Sequence, residues 1–223
     1  MKTIIRILTI IVLAIIAIGV IAVSTYLLSN RTNGQITSSG ERRRYLLYVP
    51  ESYNPQVSTP LIINIHGFAQ WPANQMRVSQ WNEVADEYGL IVVYPSGTGF
   101  PWRWRVTDEP EKELAFFSDL IDKLEDEYNI DSSRIYANGL SNGGAMTFLL
   151  ACNLSDRITA VGTVAGAFRG MCEGGSQQRP VPAIFFHGKQ DPIVPFEGGE
   201  YERTGVPFPS IPEFVASYAQ ENG

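Results

Sequence analysis

Hydrophobic and polar positions alternate along this chain in short blocks that predict strands and helices in turn. Apolar runs bounded by turn residues occur at 44–50, 60–67 and 90–97, and the last two are typical of buried parallel strands. Residues 81–89 predict a short helix closed by glycine. Apolar side chains then recur at three- and four-residue steps, which predicts a helix from about Glu111 to Tyr128.

The second half of the chain continues the alternation. "RIYANGLS" predicts a strand, "NGGAMTFLLAC" a helix, and "ITAVGTVAG" and "VPAIFFHG" two more strands. A last helix is expected to begin near Ser210, which stands in capping-box spacing with Glu213. Strands that alternate with helices indicate an α/β fold with a mostly parallel sheet and helices on both faces.

The N-terminus has a different pattern. Lys2 and Arg6 precede 22 residues without a charge, 7–28, which is long enough for a helix to cross a hydrocarbon core of about 30 Å. We favour an uncleaved membrane anchor, because cleavable signals usually have a shorter apolar stretch, although "AVS" at 22–24 keeps a cleaved signal open. Both alternatives predict an extracytoplasmic protein, either membrane-anchored or secreted.

The predicted domain organisation follows from this pattern. It comprises an anchor or signal segment at 1–28, a polar linker at 29–40 and one domain at 41–223. The last range is long enough to bury a substantial core.

Composition narrows the class of function. The charged fraction of 18% and the hydrophobic fraction of 44% are typical of a globular protein. A net charge of −6 argues against a nucleic-acid partner, which would require a basic face. The single basic cluster, "RRR" at 42–44, is interpreted as the solvated start of a strand rather than as a lipid- or phosphate-binding patch.

Two cysteines, Cys152 and Cys172, are present. In an oxidising compartment they predict one disulfide bond, which would close a loop of about 20 residues and contribute about 3 kcal/mol. Two unpaired, buried thiols are the alternative. No metal site is expected, because two cysteines and two distant histidines show no ligand spacing.

The stretch "NGLSNGGA", residues 138–145, has the G-x-S-x-G spacing of a nucleophile elbow, with Ser141 at its centre. It follows a predicted strand and opens a predicted helix, which is the context this motif requires. An idle serine in a glycine-rich turn is the alternative. The amide N–H of Asn142 is expected to be one oxyanion donor, and that of Phe68 the other, with Gly67 as the near alternative.

Asp191 follows the predicted strand "VPAIFF" and is a candidate for the acid that orients a catalytic histidine. The alternative is an Asx-type turn cap before Pro192. His187 is expected to pack locally.

Three further residues near the expected cleft are weaker candidates. His66 is expected to shape the loop after the early strand and is also a candidate for substrate contact. Trp102 and Trp104 either stack on a sugar or phenolic ring of the substrate or anchor their loop in hydrophobic space.

Taken in order, "IHGFAQ", "RIYANGLSNGGAMTFLLAC", "AVGTVAGA" and "FFHGKQDPIVPFEGG" resemble the secreted esterases of the polyhydroxybutyrate depolymerase and feruloyl esterase family, which have the α/β-hydrolase fold. The resemblance implies ester substrates such as hydroxyalkanoate oligomers, feruloylated sugars or acetylated xylan, and no cofactor. It also implies site residues: Ser141 as nucleophile, Asp191 as acid, Phe68 and Asn142 as oxyanion donors, and a Cys152–Cys172 bridge.

The chain has no histidine in the position where this family's base is expected. α/β-Hydrolases run in the order serine, acid, histidine, and none of the 32 residues after Asp191 is a histidine. We therefore expect a serine carboxylic-ester hydrolase represented by a fragment, whose base lies beyond Gly223. The alternatives are a catalytically dead hydrolase-fold protein that binds or scaffolds, and a recruited His187.

Overall fold

The computed structural model describes residues 2–99, 102–103, 109–168, 170, 178–201, 203 and 205–222. The helices are α1 Lys2–Ser29, α2 Pro72–Ser79, α3 Trp81–Tyr88, α4 Pro110–Glu127, α5 Asn142–Asn153 and α6 Ile211–Asn222. The strands are β1 Gly34–Ser38, β2 Glu41–Tyr48, β3 Thr59–Ile65, β4 Ile91–Pro95, β5 Ile130–Leu140, β6 Ala160–Val164, β7 Ala183–Phe186, β8 Gly199–Tyr201 and β9 Val206–Phe208.

Seven strands form the central sheet, in the order β1-β2-β4-β3-β5-β6-β7. The five strands from β4 to β7 in this order are parallel, whereas β1 and β2 add an antiparallel edge. Strands β8 and β9 pair separately. The sequence prediction of an α/β fold with a mostly parallel sheet is therefore confirmed.

Alternate residues of the central strands fill two separate cores. On one face, Leu61, Ile63 and Ile65 of β3 pack against α4 and α5. On the other face, Ile62 of β3 and Val92 of β4 pack in the cluster that contains α3. Burial on both faces explains why these strands are continuous apolar runs rather than alternating ones.

The structure differs from the sequence expectation at three places. Residues 34–38 were expected in the polar linker 29–40, but they form β1, because their backbone pairs with residues 41–45 of β2. The short helix α2 was not predicted, since its mean composition is polar and only Pro72 and Gln75 are buried. The small β8–β9 pair was also not predicted.

One buried ion pair fastens α4 to β2. Arg43 donates to the Glu113 carboxylate at 2.5 Å, and their side chains are 1% and 0% exposed. The Arg43 guanidinium also lies over the Phe116 ring, 3.9 Å from its centroid. Because loss of one partner leaves the other charge buried and uncompensated, this pair constrains where α4 can lie.

We predict that Glu113→Ala lowers the free energy of unfolding by about 3–5 kcal/mol, because Arg43 then remains charged inside the core. Urea unfolding in detergent micelles, followed by tryptophan fluorescence, measures this change. Glu111→Ala is the matched control: Glu111 is exposed in the same helical turn, so its loss should cost about 0.5 kcal/mol or less. Equal costs for the two variants would contradict the role assigned to the pair.

Candidate active site

Ser141 occupies a strained corner between β5 and α5. Its backbone has φ 54° and ψ −115°, a combination that a serine rarely adopts. Its amide donates to the Val164 carbonyl at 2.8 Å, and its carbonyl accepts from Ala145 and Ala167. The corner is therefore fixed from both sides, as a nucleophile elbow requires.

Gly139 and Gly143 lie so close to neighbouring backbone atoms that neither position has room for a side chain. A Cβ on Gly143 would lie 2.3 Å from the Ile65 carbonyl oxygen and 2.5 Å from that of His66. A Cβ on Gly139 would lie 2.3 Å from the Gly143 oxygen. The first turn of α5 thus sits directly on the end of β3, which brings the two loops of the expected oxyanion hole together.

The loop after β3 is held by its own hydrogen bonds. The Gly67 amide donates to Gln70 Oε1 at 3.2 Å, and the Gln70 amide donates back to the Gly67 carbonyl. Because the Gly67 amide is engaged in this turn, Gly67 is a poor candidate for the second oxyanion donor. Phe68 stays the candidate that the sequence suggests. The Phe68 side chain is 62% exposed.

His66 is a buried, neutral side chain. Its Nε2 accepts from the Gly97 amide at 3.2 Å, so Nδ1 carries the proton and donates to the Gly67 carbonyl at 2.9 Å. Burial lowers the pKa of His66 to about 4. With 1% exposure, His66 does not contact substrate as one candidate role had it. It shapes the loop after β3, which was the main expectation.

Trp102 is a loop anchor and not a stacking platform. The residue is fully buried, so the substrate-binding interpretation is wrong for it. Its amide donates to Asn142 Oδ1 at 2.8 Å, and its indole N–H donates to the His66 carbonyl at 2.9 Å. Trp102 therefore ties the elbow to the loop after β3. Trp104 lies outside the described residues.

Asp191 stands in a tight turn just beyond β7. Its Oδ1 accepts the amides of Ile193 and Val194 at 2.8 and 3.0 Å, so the turn-cap interpretation applies to one carboxylate oxygen. Its Oδ2 lies 3.8 Å from His187 Nε2, which is in contact with the Val194 carbonyl at 2.8 Å. His187 is thus packed locally, as expected.

Strand register brings Ser141 and the turn that holds Asp191 to the carboxyl ends of neighbouring parallel strands. Leu140, Val164 and Phe186 are aligned across β5, β6 and β7. Ser141 and the turn that holds Asp191 both come directly after this row. Two strand spacings, about 10 Å, separate the chains at this level.

The segment that contains both Ser141 and Asp191 matches a known protein family. The model of the esterase PHB depolymerase family matches residues 43–196, which is more than half of the chain. The chain belongs to this family.

Two curated relatives illustrate the likeness. A probable feruloyl esterase C of Aspergillus flavus is 32% identical over 166 residues, covering 70% of this chain and 58% of that protein. A bifunctional acetylxylan esterase/xylanase of Neocallimastix patriciarum is 31% identical over 158 residues, covering 71% of this chain and 23% of that protein. The chain thus spans less than two thirds of the length of these relatives.

A solved structure of a thermostable esterase shows the same fold. It aligns with a TM-score of 0.67 and 24% identity, covering 89% of this chain and 54% of that one. This likeness, together with the parallel sheet, identifies the fold as that of the α/β-hydrolases.

The cysteine bridge stays a prediction. Cys152 is buried at the end of α5, 1% exposed. Cys172 lies outside the described residues.

The side-chain role of Asn142 was missed from the sequence, where only its amide was singled out. Its Oδ1 partner, the Trp102 amide, is 40 residues away in the chain. No spacing or composition signal connects the two positions, because the donor is a backbone amide that does not depend on the identity of residue 102.

We predict that Gly143→Ala disrupts the elbow, because the added Cβ would overlap two backbone carbonyls that have no freedom to move. The cost is expected at the upper end of the about 1–3 kcal/mol typical of overpacking, or above it. Thermal unfolding measures it. Gly162→Ala is the control, since its Cβ would meet the nearest atom, Ile184 Cγ2, at an ordinary 3.4 Å. Similar melting temperatures for the two variants would contradict the close contact.

Burial of His66 predicts a pH dependence of stability. Its folded-state pKa of about 4 lies below the ordinary value of 6.5. Between these values the unfolded chain binds a proton that the folded chain does not. The free energy of unfolding should therefore fall as the pH drops from 6.5 to 4.

Urea unfolding across this range should show a smaller loss in His66→Gln, whereas the matched His187→Gln variant should keep the loss that His66 causes. An NMR titration checks the cause directly. A ring at position 66 that titrates near 6.5 would contradict the neutral, buried form.

Proposed function

We propose that this chain supplies the nucleophile, the acid and the oxyanion hole of a serine carboxylic-ester hydrolase. The observation that carries the proposal is the elbow: Ser141 in its strained conformation, with Gly143 pressed against the end of β3. Membership of an esterase family supports it. The relatives are named as feruloyl and acetylxylan esterases, so we propose phenolic or acetyl esters of plant polysaccharides, or polyester oligomers, as substrates.

In this mechanism the Ser141 hydroxyl attacks the ester carbonyl carbon while a histidine takes its proton. The amides of Asn142 and Phe68 donate to the oxyanion that forms, and Asp191 holds the histidine in the required tautomer. The protonated histidine gives its proton to the departing alcohol, which leaves an acyl ester on Ser141. Water, activated by the same base, then releases the acid.

We propose that neither histidine of the chain serves as this base. Both ring nitrogens of His66 are engaged by backbone groups. The Nε2 atom of His187 is held by the Val194 carbonyl. We propose that further polypeptide supplies the base from the side of β7.

The exposed edge of the sheet supports that part of the proposal. Strand β7 is the last strand of the sheet, and Ile184 and Phe186 on it are 55% and 57% exposed. Val164 on the neighbouring β6 is 50% exposed. An apolar, unprotected edge strand invites pairing with another strand.

The N-terminal helix supports a membrane anchor in the same proposal. The segment Arg6–Leu28 has 23 residues, a mean hydropathy of 3.1 and no burial within the protein. A signal sequence near the N-terminus has the same properties, and the extracytoplasmic location follows from either. We propose the uncleaved anchor, with the domain outside the cytoplasm.

The decisive experiment is chemical rescue of ester hydrolysis by free imidazole. We expect the 223-residue chain to hydrolyse p-nitrophenyl acetate weakly, at a rate at most about 10³–10⁴-fold above that in water. This is the activity that remains when a serine protease loses one member of its triad. Added imidazole should raise the rate. Ser141→Ala should abolish the increase, whereas the exposed control Ser133→Ala should keep it.

Two outcomes would change the proposal. Full turnover without imidazole would show that the chain already contains its base, and a Ser141→Ala variant as active as the parent would overturn the nucleophile. Absence of any Ser141-dependent hydrolysis, with or without imidazole, would favour the binding or scaffold protein instead. In-frame codons beyond 223 that encode a histidine, and that restore turnover when added, would support the proposed source of the base.

A further inference from the structure

The end of α1 touches the loop that leads out of β3. The rings of Tyr26 and Trp71 meet edge to face, with their centroids 5.6 Å apart. Trp71 is the residue that immediately precedes α2, three positions after Phe68. The apolar helix and the oxyanion loop are therefore direct neighbours.

Tyr26 also fixes the height of this contact relative to a membrane. The apolar segment Arg6–Leu28 rises about 1.5 Å per residue, so its length matches a hydrocarbon core of about 30 Å. Tyr26 lies near its end, at the level of the lipid headgroups, where tyrosine and tryptophan are enriched. Trp71 must lie at the same level, because it contacts Tyr26.

A cavity of about 420 Å³ lies between α1 and the carboxyl ends of the parallel strands, which we call the catalytic edge of the sheet. Gly97, on its wall, donates its amide to His66 in the oxyanion loop at 3.2 Å. The cavity therefore adjoins the candidate active site. Its lining residues are Tyr26, Asn30, Trp71, Arg42–Arg44 and Ser96–Gly99.

The charge of this cavity is supplied by two arginines. Alternation along β2 turns Glu41 and Arg43 to one face, where they pair with Arg103 and Glu113. It turns Arg42 and Arg44 to the other face, where both are exposed. Within the described parts of the chain, neither of these two makes an ion pair.

Arg42 and Arg44 also lie side by side on one face of β2. Their Cα atoms lie about 7 Å apart along the strand, and both also line a second cavity of about 400 Å³ with Thr32 and Asn33. Guanidinium groups bind phosphate oxygens in a bidentate manner. The chain as a whole is acidic, with a net charge of −6, so this local positive charge is a distinct feature of the membrane-facing end.

We propose that α1 holds the catalytic edge of the sheet against the membrane, where Arg42 and Arg44 bind the phosphate groups of anionic lipids. The inference rests on the proposed anchor. It deepens the proposed function, because the candidate active site would then act on esters located at the membrane surface. The exposed Phe68 ring then faces the headgroup region. The structure corrects the solvated interpretation of "RRR" for Arg43, which is buried, whereas Arg42 and Arg44 are exposed as that interpretation expects. The proposal adds lipid binding for these two.

Site-specific photo-crosslinking tests the orientation. The full chain is assembled into nanodiscs of phosphatidylcholine that contain tagged phosphatidylglycerol, with benzoylphenylalanine in place of Phe68. The matched control has the same photoreactive residue in place of Val57, which is 57% exposed. Val57 lies just before β3, at the amino ends of the parallel strands. We expect a several-fold higher yield of lipid adduct from position 68. Equal yields from the two positions would overturn the inference.

A charge-removal series tests the arginines. Combining Arg42→Gln and Arg44→Gln should lower the adduct yield with phosphatidylglycerol several-fold. Removing the same net charge by Lys123→Gln and Arg134→Gln, which lie in surface ion pairs elsewhere, should leave the yield unchanged. Equal effects of the two double variants would overturn lipid binding by Arg42 and Arg44.

The crosslinking readout is independent of ester hydrolysis. A chain that crosslinks preferentially from position 68 but gives no Ser141-dependent hydrolysis would contradict the proposed function and leave the orientation supported. A chain that does not enter nanodiscs would overturn the anchor, and with it this inference. Hydrolysis without preferential crosslinking at position 68 would overturn the inference alone.

Discussion

The close contact between the first turn of α5 and the end of β3 is the constraint on which the site depends. Backbone carbonyls of Ile65 and His66 occupy the space that a side chain on Gly143 would need. This contact forces Ser141 into its strained corner and leaves the residue after it beside the loop that carries Phe68. Trp102 connects the elbow to the loop after β3, because it donates one hydrogen bond to Asn142 and another to the His66 carbonyl. Removal of any one of these groups would loosen the contact between the elbow and the loop after β3.

Much of the fold is encoded locally and could be predicted. Strands buried on both faces, such as β3 and β4, are uninterrupted apolar runs, and α4 shows its helical period because only one of its faces is buried. Strand β1 could not be predicted in the same way. Its side chains alternate between half-buried and exposed positions, and its place in the sheet comes from backbone pairing with β2, for which "GQITS" has no distinctive pattern.

The same distinction separates the site residues. The turns that hold Ser141 and Asp191 were predictable because each has a local signature, glycines around Ser141 and a strand before Asp191. Trp102 was not. The sequence around a tryptophan does not show whether its indole ring is exposed or buried. In Trp102 the ring N–H donates to a backbone carbonyl 36 residues away. Whether an aromatic residue in a loop meets substrate or fills a core is decided by such distant contacts, which periodicity does not contain.

The two edge strands of the sheet are protected differently, and this difference bears on the proposed source of the base. At one edge, β1 is short and polar, which discourages pairing with another chain. At the other edge, β7 carries Ile184 and Phe186 with more than half of each residue exposed. Water contact with two large apolar side chains is costly, at about 25 cal/mol for each Å² left uncovered. Covering β7 would therefore lower the free energy of the folded protein more than covering β1 would. A strand paired with β7 in parallel would end near the turn that holds Asp191, the proposed acid.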